Sequence, residues 1–474
     1  MGKGKTEVIV IGAGISGIKA SLDLANAGIS SLVLESRGRL GGRLCTEQME
    51  SGLSVDMGAS WFHDCYTNPL LKKYWESGKV DFHFDDGKFS YFNEEGLVDE
   101  NKRLEPVAKE IELFMEDLYT KIPADKDISI KEAVYQYLKD KKWCLTDYQL
   151  KHVPQLVRYF EMWIGSSWEI LSARTIATDK HKGRDAMVMN GYSTVYNGEL
   201  EELVKAAKLS SQGGCSIKLN SVVYKIEWDA KKREIVVHSK NSLTNKSEQF
   251  RSNFLVFTAP LSVLKLTDLK EEGAIEWTPP LPPTLRNSLD KVSFSNLGKV
   301  FFEFPETFWN LEDDRILSLA RGKIPNGLDY TILFLNLAKP TQKPLLLALI
   351  SSPLTQYIEQ QESQEVIFEV FKPVLSRITN LKASEIPKPL QIKTSKWSAD
   401  PYARGSYTGV TVRDDYEVAL EYLMNPTGIF DGSGRVRFAG EGVTDDGNGC
   451  AHGAWVSGAR EAEYIKRVVN KAKF

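Results

Sequence analysis

The chain has 474 residues, of which 42% are hydrophobic and 26% are charged, and its formal net charge is −3. This length predicts two or three domains with cores of their own, and the slightly acidic balance argues against a nucleic-acid-binding protein. The five cysteines form no Cys-x-x-Cys pair, and no apolar run is long enough to cross a bilayer. We therefore expect reduced thiols, no membrane partner and a cytoplasmic location.

The first elements predicted are a strand, a glycine turn and a helix. Residues 7–14 read EVIVIGAG, and Gly12, Gly14 and Gly17 form the pattern G-x-G-x-x-G. The first glycine permits a tight turn, the second lets the backbone approach a pyrophosphate, and the third lets the helix pack on the strand. The first turn of the helix, which includes Ser16, offers N–H groups and a positive dipole end to an anion.

The next predicted strand is SSLVLES, residues 30–36, which completes a βαβ unit with a parallel sheet. Glu35 ends this strand, 18 residues after Gly17. A carboxylate at this distance can accept both hydroxyls of an adenosine ribose, and it disfavours a 2′-phosphate. The pattern predicts an adenine dinucleotide, and at this stage NAD and FAD both remain open.

The rest of the chain predicts helices first and strands later. Residues 106–168 have the apolar spacing of helices, whereas strand-like alternation begins at residue 216. Close to residue 440, RVRFAGEG predicts a strand and a glycine turn, and AHGAWVSGAREAEYIKRVVN predicts a helix. One βαβ unit has too few strands for a doubly wound sheet, so later segments must complete it.

We therefore predict an α/β fold with two domains. The first is a discontinuous, Rossmann-like dinucleotide-binding domain, formed by residues 1–80, 196–290 and 425–474. The second is an α+β substrate domain, in which helices flank a mixed β-sheet, formed by residues 81–195 and 291–424.

The residues that follow the second strand decide between the two dinucleotides. The run ESRGRLGGR, residues 35–43, resembles the E-x-R-x-R-x-G-G-R continuation of the flavin amine oxidase family. Its two glycines let a second backbone segment pass close to the cofactor, and Arg43 brings positive charge towards a second phosphate. VDMGASWFH at residues 55–63 and FAGEGVTDDGNGCAHGAWVSGAREA at residues 438–462 are similar to further family segments. The resemblance is nearest to the fungal, yeast-type polyamine oxidases, which include spermine oxidases.

The resemblance implies a bound FAD. Residues 55–63 would run beside the isoalloxazine ring, and the start of the last helix near Ala451 would stabilise the reduced, anionic flavin. Monoamine oxidases attach flavin covalently at a position that falls on Ser406, which cannot form a thioether, so we expect non-covalent FAD. The implied cofactor contacts are Gly12, Gly14, Ser16, Gly17, Glu35, Arg37, Gly42, Arg43, Gly58, Ala59, Ser60, Trp61, Val223, Trp397, Glu441, Gly449, Cys450 and Ala451.

The resemblance also implies a reacting site with two catalytic candidates, Lys299 and His63. Lys299, in SNLGKVFFEF, matches the lysine that holds a water against flavin N5, and a lysine in a closed site readily lowers its pKa. His63 would bond a substrate amine rather than act as the base. Tyr407 would form one wall of an aromatic cage. The opposite wall, aromatic in monoamine oxidases, falls on Cys450, which predicts a more open pocket.

A linear polycation needs acidic side chains spaced along its channel. No metal site is predicted. The substrate-contact candidates are His63, Trp61, Trp163, Asp185, Tyr407, Cys450, Asp85 and Asp86.

The resemblance implies a polyamine oxidase, active as a monomer or a homodimer, whose partners are a small polyamine and O₂. Hydride would leave the α-carbon of spermine, or of N1-acetylspermine, for flavin N5. Hydrolysis of the imine would yield spermidine and 3-aminopropanal, and O₂ would become H₂O₂.

Two alternative functions are weighed against this one. A histone-lysine demethylase would need an inserted helical hairpin and a partner domain, for which 474 residues leave no room. A non-catalytic escort protein of the same glycine-loop fold would need no lysine at flavin N5, so Lys299 disfavours this alternative.

Overall fold

The computed structural model describes residues 5–120, 126–178, 182–209, 214–320, 327–412 and 414–471. Its strands, in chain order, are β1 Lys5–Ile11, β2 Ser31–Leu34, β3 Thr46–Gln48, β4 Ser54–Asp56, β5 Trp61–Phe62, β6 Phe82–His83, β7 Lys88–Asn93, β8 Gly96–Leu97, β9 Ala186–Val188, β10 Cys215–Lys218, β11 Ser221–Asp229, β12 Glu234–Asn241, β13 Ser247–Phe257, β14 Glu276–Thr278, β15 Ser293–Ser295, β16 Gly298–Glu303, β17 Asp313–Ser318, β18 Ile332–Asn336, β19 Leu345–Ile350, β20 Gln391–Thr394, β21 Tyr407–Gly409 and β22 Val436–Phe438.

The helices include the α-helical region expected between residues 106 and 168. Two of its helices begin at capping boxes, in which a Ser or Thr hydroxyl and a Glu or Gln side chain satisfy each other's backbone N–H groups. The α-helices are α1 Ile15–Asn26, α2 Pro69–Ser77, α3 Leu104–Tyr119, α4 Ile130–Lys141, α5 Asp147–Val157, α6 Glu161–Ile164, α7 Ala173–Thr178, α8 Ser193–Leu209, α9 Leu261–Leu264, α10 Pro283–Leu289, α11 Ala338–Thr341, α12 Leu354–Glu359, α13 Gln364–Thr379, α14 Tyr416–Met424 and α15 Ala451–Lys471.

An eight-stranded sheet contains the glycine loop. Its strand order is β10-β2-β1-β13-β12-β11-β14, and β22 also pairs with β13. The strands around β1 are parallel, whereas β11, β12 and β13 pair antiparallel. In β1, Val8 and Val10 face a core shared with α1, α8 and α15, and Ile9 and Ile11 face a second core. Both faces of β1 are therefore buried, as its continuous apolar run predicts.

A seven-stranded mixed sheet forms the second layer. Its order is β20-β16-β19-β18-β17-β7-β8, with antiparallel pairs except for the parallel pair of β17 and β7. One face packs against the region of α3 to α5 through Leu333, Leu347 and Phe301. The other face packs against α13 through Phe302 and Phe334. The predicted α/β fold, with a mixed sheet flanked by helices, is confirmed.

Short strands connect the two layers across a predicted domain limit. Trp61–Phe62 pairs with Ala186–Val188, which also pairs with Phe82–His83. The first of these strands lies in the predicted cofactor part and the other two lie in the predicted substrate part. The residue limits of the domains thus stay a prediction, while the strands of each large sheet fall within one predicted part. None of the helices in the described ranges combines the length and the apolar character that a bilayer crossing requires.

Candidate active site

A cavity of about 2310 Å³ is bordered by both large sheets. Its wall includes the ends of β1 and β2, the segment around residues 57–64, and side chains of β16, β18 and β19. All the candidate residues from the sequence line this cavity except Gly17. A Cβ at Gly17 would lie 2.1 Å from the carbonyl oxygen of Gly12, so this glycine lets α1 pack on the turn behind the wall. The fold thus gathers distant candidates into one space.

The glycine loop presents an open helix end to the cavity. α1 begins after Gly14, and no side chain caps its first turn. Its first N–H groups therefore have no capping oxygen, and the dipole places positive charge at the same end. Because Gly12, Gly14 and Ser16 line the cavity there, this end fits the pyrophosphate of a dinucleotide.

Glu35 is held at the end of β2 by the backbone on both sides. Its Oε2 accepts a hydrogen bond of 2.8 Å from Ala13 N, and its Oε1 accepts one of 3.0 Å from Arg37 N. The residue is only 3% exposed, yet it lines the cavity. Val223 lines the same end of the cavity. The position of Glu35 fits a ribose hydroxyl, as its spacing from the glycine loop predicts.

Replacing Glu35 by glutamine is expected to weaken FAD binding by about tenfold, because an amide N–H₂ cannot accept the hydrogen bonds that the carboxylate accepts. FAD titration of the apoprotein measures this loss. The matched control is Glu47→Gln, which changes an exposed carboxylate 2.7 Å from Lys393. An unchanged dissociation constant in Glu35→Gln would contradict the assignment.

Two arginines of the ESRGRLGGR run line the cavity, and each is paired with a carboxylate. Arg37 donates to both oxygens of Asp400, at 3.1 and 2.7 Å. Arg43 Nη1 donates to Glu441 Oε1 at 2.8 Å and to the Ser406 carbonyl at 2.9 Å. These pairs tie the segment after β2 to distant parts of the chain. Arg43 and Glu441, both predicted cofactor contacts, therefore form one unit.

Lys299 is buried in the cavity wall. Its Nζ donates to the carbonyls of Asp56 at 3.0 Å and Gly58 at 2.6 Å, and to the Ser60 hydroxyl. It also lies 5.0 Å from the centre of the Trp61 ring. Burial lowers the pKa of Lys299 to about 8, although the Asp56 carboxylate raises it. Lys299 thereby fixes the segment expected beside the flavin.

Asp56 is a residue that the sequence reasoning missed. Its carboxylate accepts from Tyr192 N at 3.0 Å and from the Thr46 hydroxyl. Burial raises the pKa of Asp56 to about 6, while the Thr46 hydroxyl and Lys299 lower it. The only signal for Asp56 was its place inside the run VDMGAS. Its side chain anchors the segment whose carbonyls hold Lys299.

His63 is oriented by Asp185, another predicted substrate contact. The distance from His63 Nδ1 to Asp185 Oδ2 is 3.0 Å. The other oxygen of Asp185 accepts from Asp64 N at 3.1 Å. His63 also stacks with Trp61, with ring centres 6.3 Å apart. One oxygen of Asp185 thus lies beside the His63 imidazole, and the other accepts from the backbone of Asp64.

The aromatic candidates line the cavity, and Trp397 contacts the segment whose carbonyls accept from Lys299. Trp397 Nε1 donates to the Met57 carbonyl at 2.7 Å. The Tyr407 hydroxyl donates to the Trp163 carbonyl at 2.5 Å, and burial raises the pKa of this phenol. Cys450 lines the same cavity just before α15 begins. The structure therefore brings the two predicted walls, Tyr407 and Cys450, to one cavity.

Two predicted ammonium anchors are paired with arginines. Asp85 Oδ2 lies 3.1 Å from both Nε and Nη2 of Arg315, and Arg184 donates to both oxygens of Asp86. Sequence reasoning missed Arg315, which is 230 residues from Asp85. In the part of the chain that the structure describes, no group of His, Cys, Asp and Glu could hold a metal ion.

Four features of the cavity fit a flavin dinucleotide. An uncapped helix end and a ribose acceptor lie at one end. A close backbone approach follows at Gly58, where a Cβ would lie 1.7 Å from the Arg43 carbonyl oxygen. The N-terminus of α15 reaches the cavity at Ala451, where its positive dipole end suits an electron-rich ring.

Comparisons with known proteins also indicate a flavin-binding protein. A family model described as flavin containing amine oxidoreductase matches residues 15–466. The corticosteroid-binding protein of Candida albicans is 31% identical, and the match covers 97% of this chain and 96% of the relative's length. Polyamine oxidase 4 of rice is 26% identical over 97% of this chain and 88% of its own. Lysine-specific histone demethylase 1 homolog 2 of Arabidopsis thaliana is 29% identical, and this chain spans 59% of its length. The chain therefore belongs to the family of flavin-containing amine oxidoreductases, and its cofactor is FAD.

Proposed function

We propose that this chain is a polyamine oxidase that binds FAD non-covalently and oxidises spermine to spermidine and 3-aminopropanal. N1-acetylspermine would react in the same way, and O₂ would be reduced to H₂O₂. One observation carries the proposal. A single cavity joins the glycine loop to an aromatic and acidic region, with buried Lys299 on the wall between them.

When bound, FAD accepts a hydride from the carbon next to the amine nitrogen and passes the electrons to O₂. The chain itself holds and orients the reacting groups. Lys299 holds the carbonyls of Asp56 and Gly58, and burial lowers its pKa to about 8, closer to neutral pH than an ordinary lysine. His63, which lies beside Asp185 and lines the cavity, places its imidazole where a substrate amine can hydrogen-bond to it. We assign both residues to catalysis on this basis.

Charge and aromatic faces support a cationic amine as the substrate. Asp and Glu outnumber Lys and Arg among the residues that line the cavity. Such a lining concentrates a polycation. Trp61, Trp163 and Tyr407 add aromatic faces, which attract ammonium groups. Apart from the predicted substrate and cofactor contacts, the acidic residues that line the cavity are Asp64, Glu112, Glu116, Asp127, Glu132, Asp414, Asp415, Glu417, Asp445 and Asp446.

A second ligand class is suggested by one observation. Leu297, Leu333, Leu335 and Leu349 give part of the cavity an apolar wall. The Candida albicans relative is named for binding corticosteroids, and an apolar wall suits a rigid ring system. A steroid carrier of this fold is therefore the competing function.

Anaerobic addition of spermine to the purified protein tests the proposal. We expect the visible flavin band to bleach, and O₂ to restore it with release of spermidine and 3-aminopropanal. Filtration after denaturation is expected to release all the FAD, because Ser406 cannot form a thioether. The spermine assignment is wrong if a methylated lysine peptide bleaches the flavin and spermine does not. A corticosteroid that alters the flavin spectrum without any amine bleaching it would favour the carrier.

A further inference from the structure

Lys299 and Arg315 lie on the same face of the seven-stranded sheet. Lys299 is paired with Leu349 and Leu349 with Leu333, while Arg315 is paired with Leu335. These five side chains all line the cavity. Because neighbouring strands are about 4.8 Å apart, the strands of Lys299 and Arg315 are about 14 Å apart across an apolar floor. A chain that reacts beside Lys299 and follows this floor reaches Arg315.

At the far end of this floor, the carboxylate of Asp85 is already engaged by neighbouring side chains. Asp85, whose side chain is 5% exposed, accepts from Trp61 Nε1 at 3.3 Å through one oxygen. Its other oxygen lies 3.1 Å from two nitrogens of Arg315. Arg315 Nη1 also donates to the Tyr159 hydroxyl at 3.4 Å, and its side chain remains 25% exposed. Both oxygens of Asp85 are thus engaged, and the group facing the cavity beside them is a cation.

We propose that Arg315 determines specificity by withholding Asp85 from substrate ammonium groups. This inference rests on the proposed amine oxidation. An ammonium group at this end of the floor meets the guanidinium while both oxygens of Asp85 are already engaged, and like charges repel each other. The site therefore favours substrates in which the arm that crosses the leucine floor ends in an uncharged group rather than in an ammonium group. Arg315 acts through charge and not on the reacting bond.

Arg315→Gln tests the proposal through a gain in substrate affinity. Opening a partly exposed ion pair is expected to lower KM for spermine by about fivefold, with kcat nearly unchanged. A merely structural role would raise KM or lower kcat. Adding Asp85→Asn to this variant is expected to restore the wild-type KM. Arg251→Gln removes an arginine of similar exposure that pairs with Asp229 outside the cavity. It is the matched control and is expected to leave KM unchanged.

A second measurement uses the unmodified enzyme, so it does not depend on the folding of any variant. Two amines are compared that differ only in whether the arm crossing the floor ends in a primary ammonium or a hydroxyl group. The hydroxyl compound is expected to have the lower KM. A lower KM for the ammonium compound, or an Arg315→Gln enzyme with unchanged KM, would overturn the inference alone. A wild-type enzyme that leaves spermine unreacted would overturn the proposed function and this inference together.

Discussion

Lys299→Met is expected to lower turnover of spermine by at least about a hundredfold, the range typical of a positioned proton-transfer group, while FAD stays bound. Methionine has no N–H donor, so the carbonyls of Asp56 and Gly58 lose the ammonium that joins them. Anaerobic stopped-flow measurements of flavin reduction, followed by mixing with O₂, show which half of the reaction slows. Lys265→Met is the matched control, because Lys265 also donates to a main-chain carbonyl, that of Val292 at 2.7 Å, outside the cavity.

The pH dependence supplies an independent readout of the same substitution. Burial lowers the pKa of Lys299 from 10.5 to about 8. Between these values the unfolded chain binds the proton that the folded chain has released, so the free energy of unfolding of the wild type rises with pH. Lys299→Met is expected to lack this rise, and also to lack any change of activity near pH 8. If the turnover of Lys299→Met is within about twofold of the wild-type value, Lys299 has no role in catalysis and the assignment is wrong.

The parts of the site that were predictable from sequence are those set by local spacing. Gly12, Gly14 and Gly17 fix a turn, and Glu35 follows at the distance that one helix and one strand require. The helices between residues 106 and 168 follow from apolar periodicity and capping residues in the same way. Such features depend on neighbours within about 20 residues, which a single sequence displays.

The pairing of charges was not predictable, because each partner is distant in sequence. Asp85 stands out in FHFDDGKF as a negative charge, but its partner Arg315 comes 230 residues later in a strand. Asp185 similarly meets His63 only because β9 pairs with β5. The same pairing crosses the predicted limit at residue 80. Sequence therefore indicates which residues carry charge, whereas tertiary contacts decide which charges remain available to a substrate.

Gly58→Ala is expected to lose nearly all bound FAD, retaining about a tenth of the wild-type content or less. A methyl group at this position would lie 1.7 Å from the Arg43 carbonyl oxygen and 3.2 Å from Trp397 Cζ2. Backbone on one side and a buried indole on the other leave no room, so the segment must move. That movement also takes the Gly58 carbonyl away from Lys299 Nζ, which donates to it at 2.6 Å.

The control and the second readout separate a local effect from general unfolding. Gly214→Ala adds a methyl group with no heavy atom within 4 Å, so this variant is expected to keep its FAD. Added FAD stabilises a protein only as far as the folded state binds it. We therefore expect added FAD to raise the melting temperature of the wild type and of Gly214→Ala. The melting temperature of Gly58→Ala is expected to change very little. A Gly58→Ala protein that purifies fully loaded with FAD would show that the segment can shift without leaving the cofactor, and that Arg43 and Gly58 do not set its position.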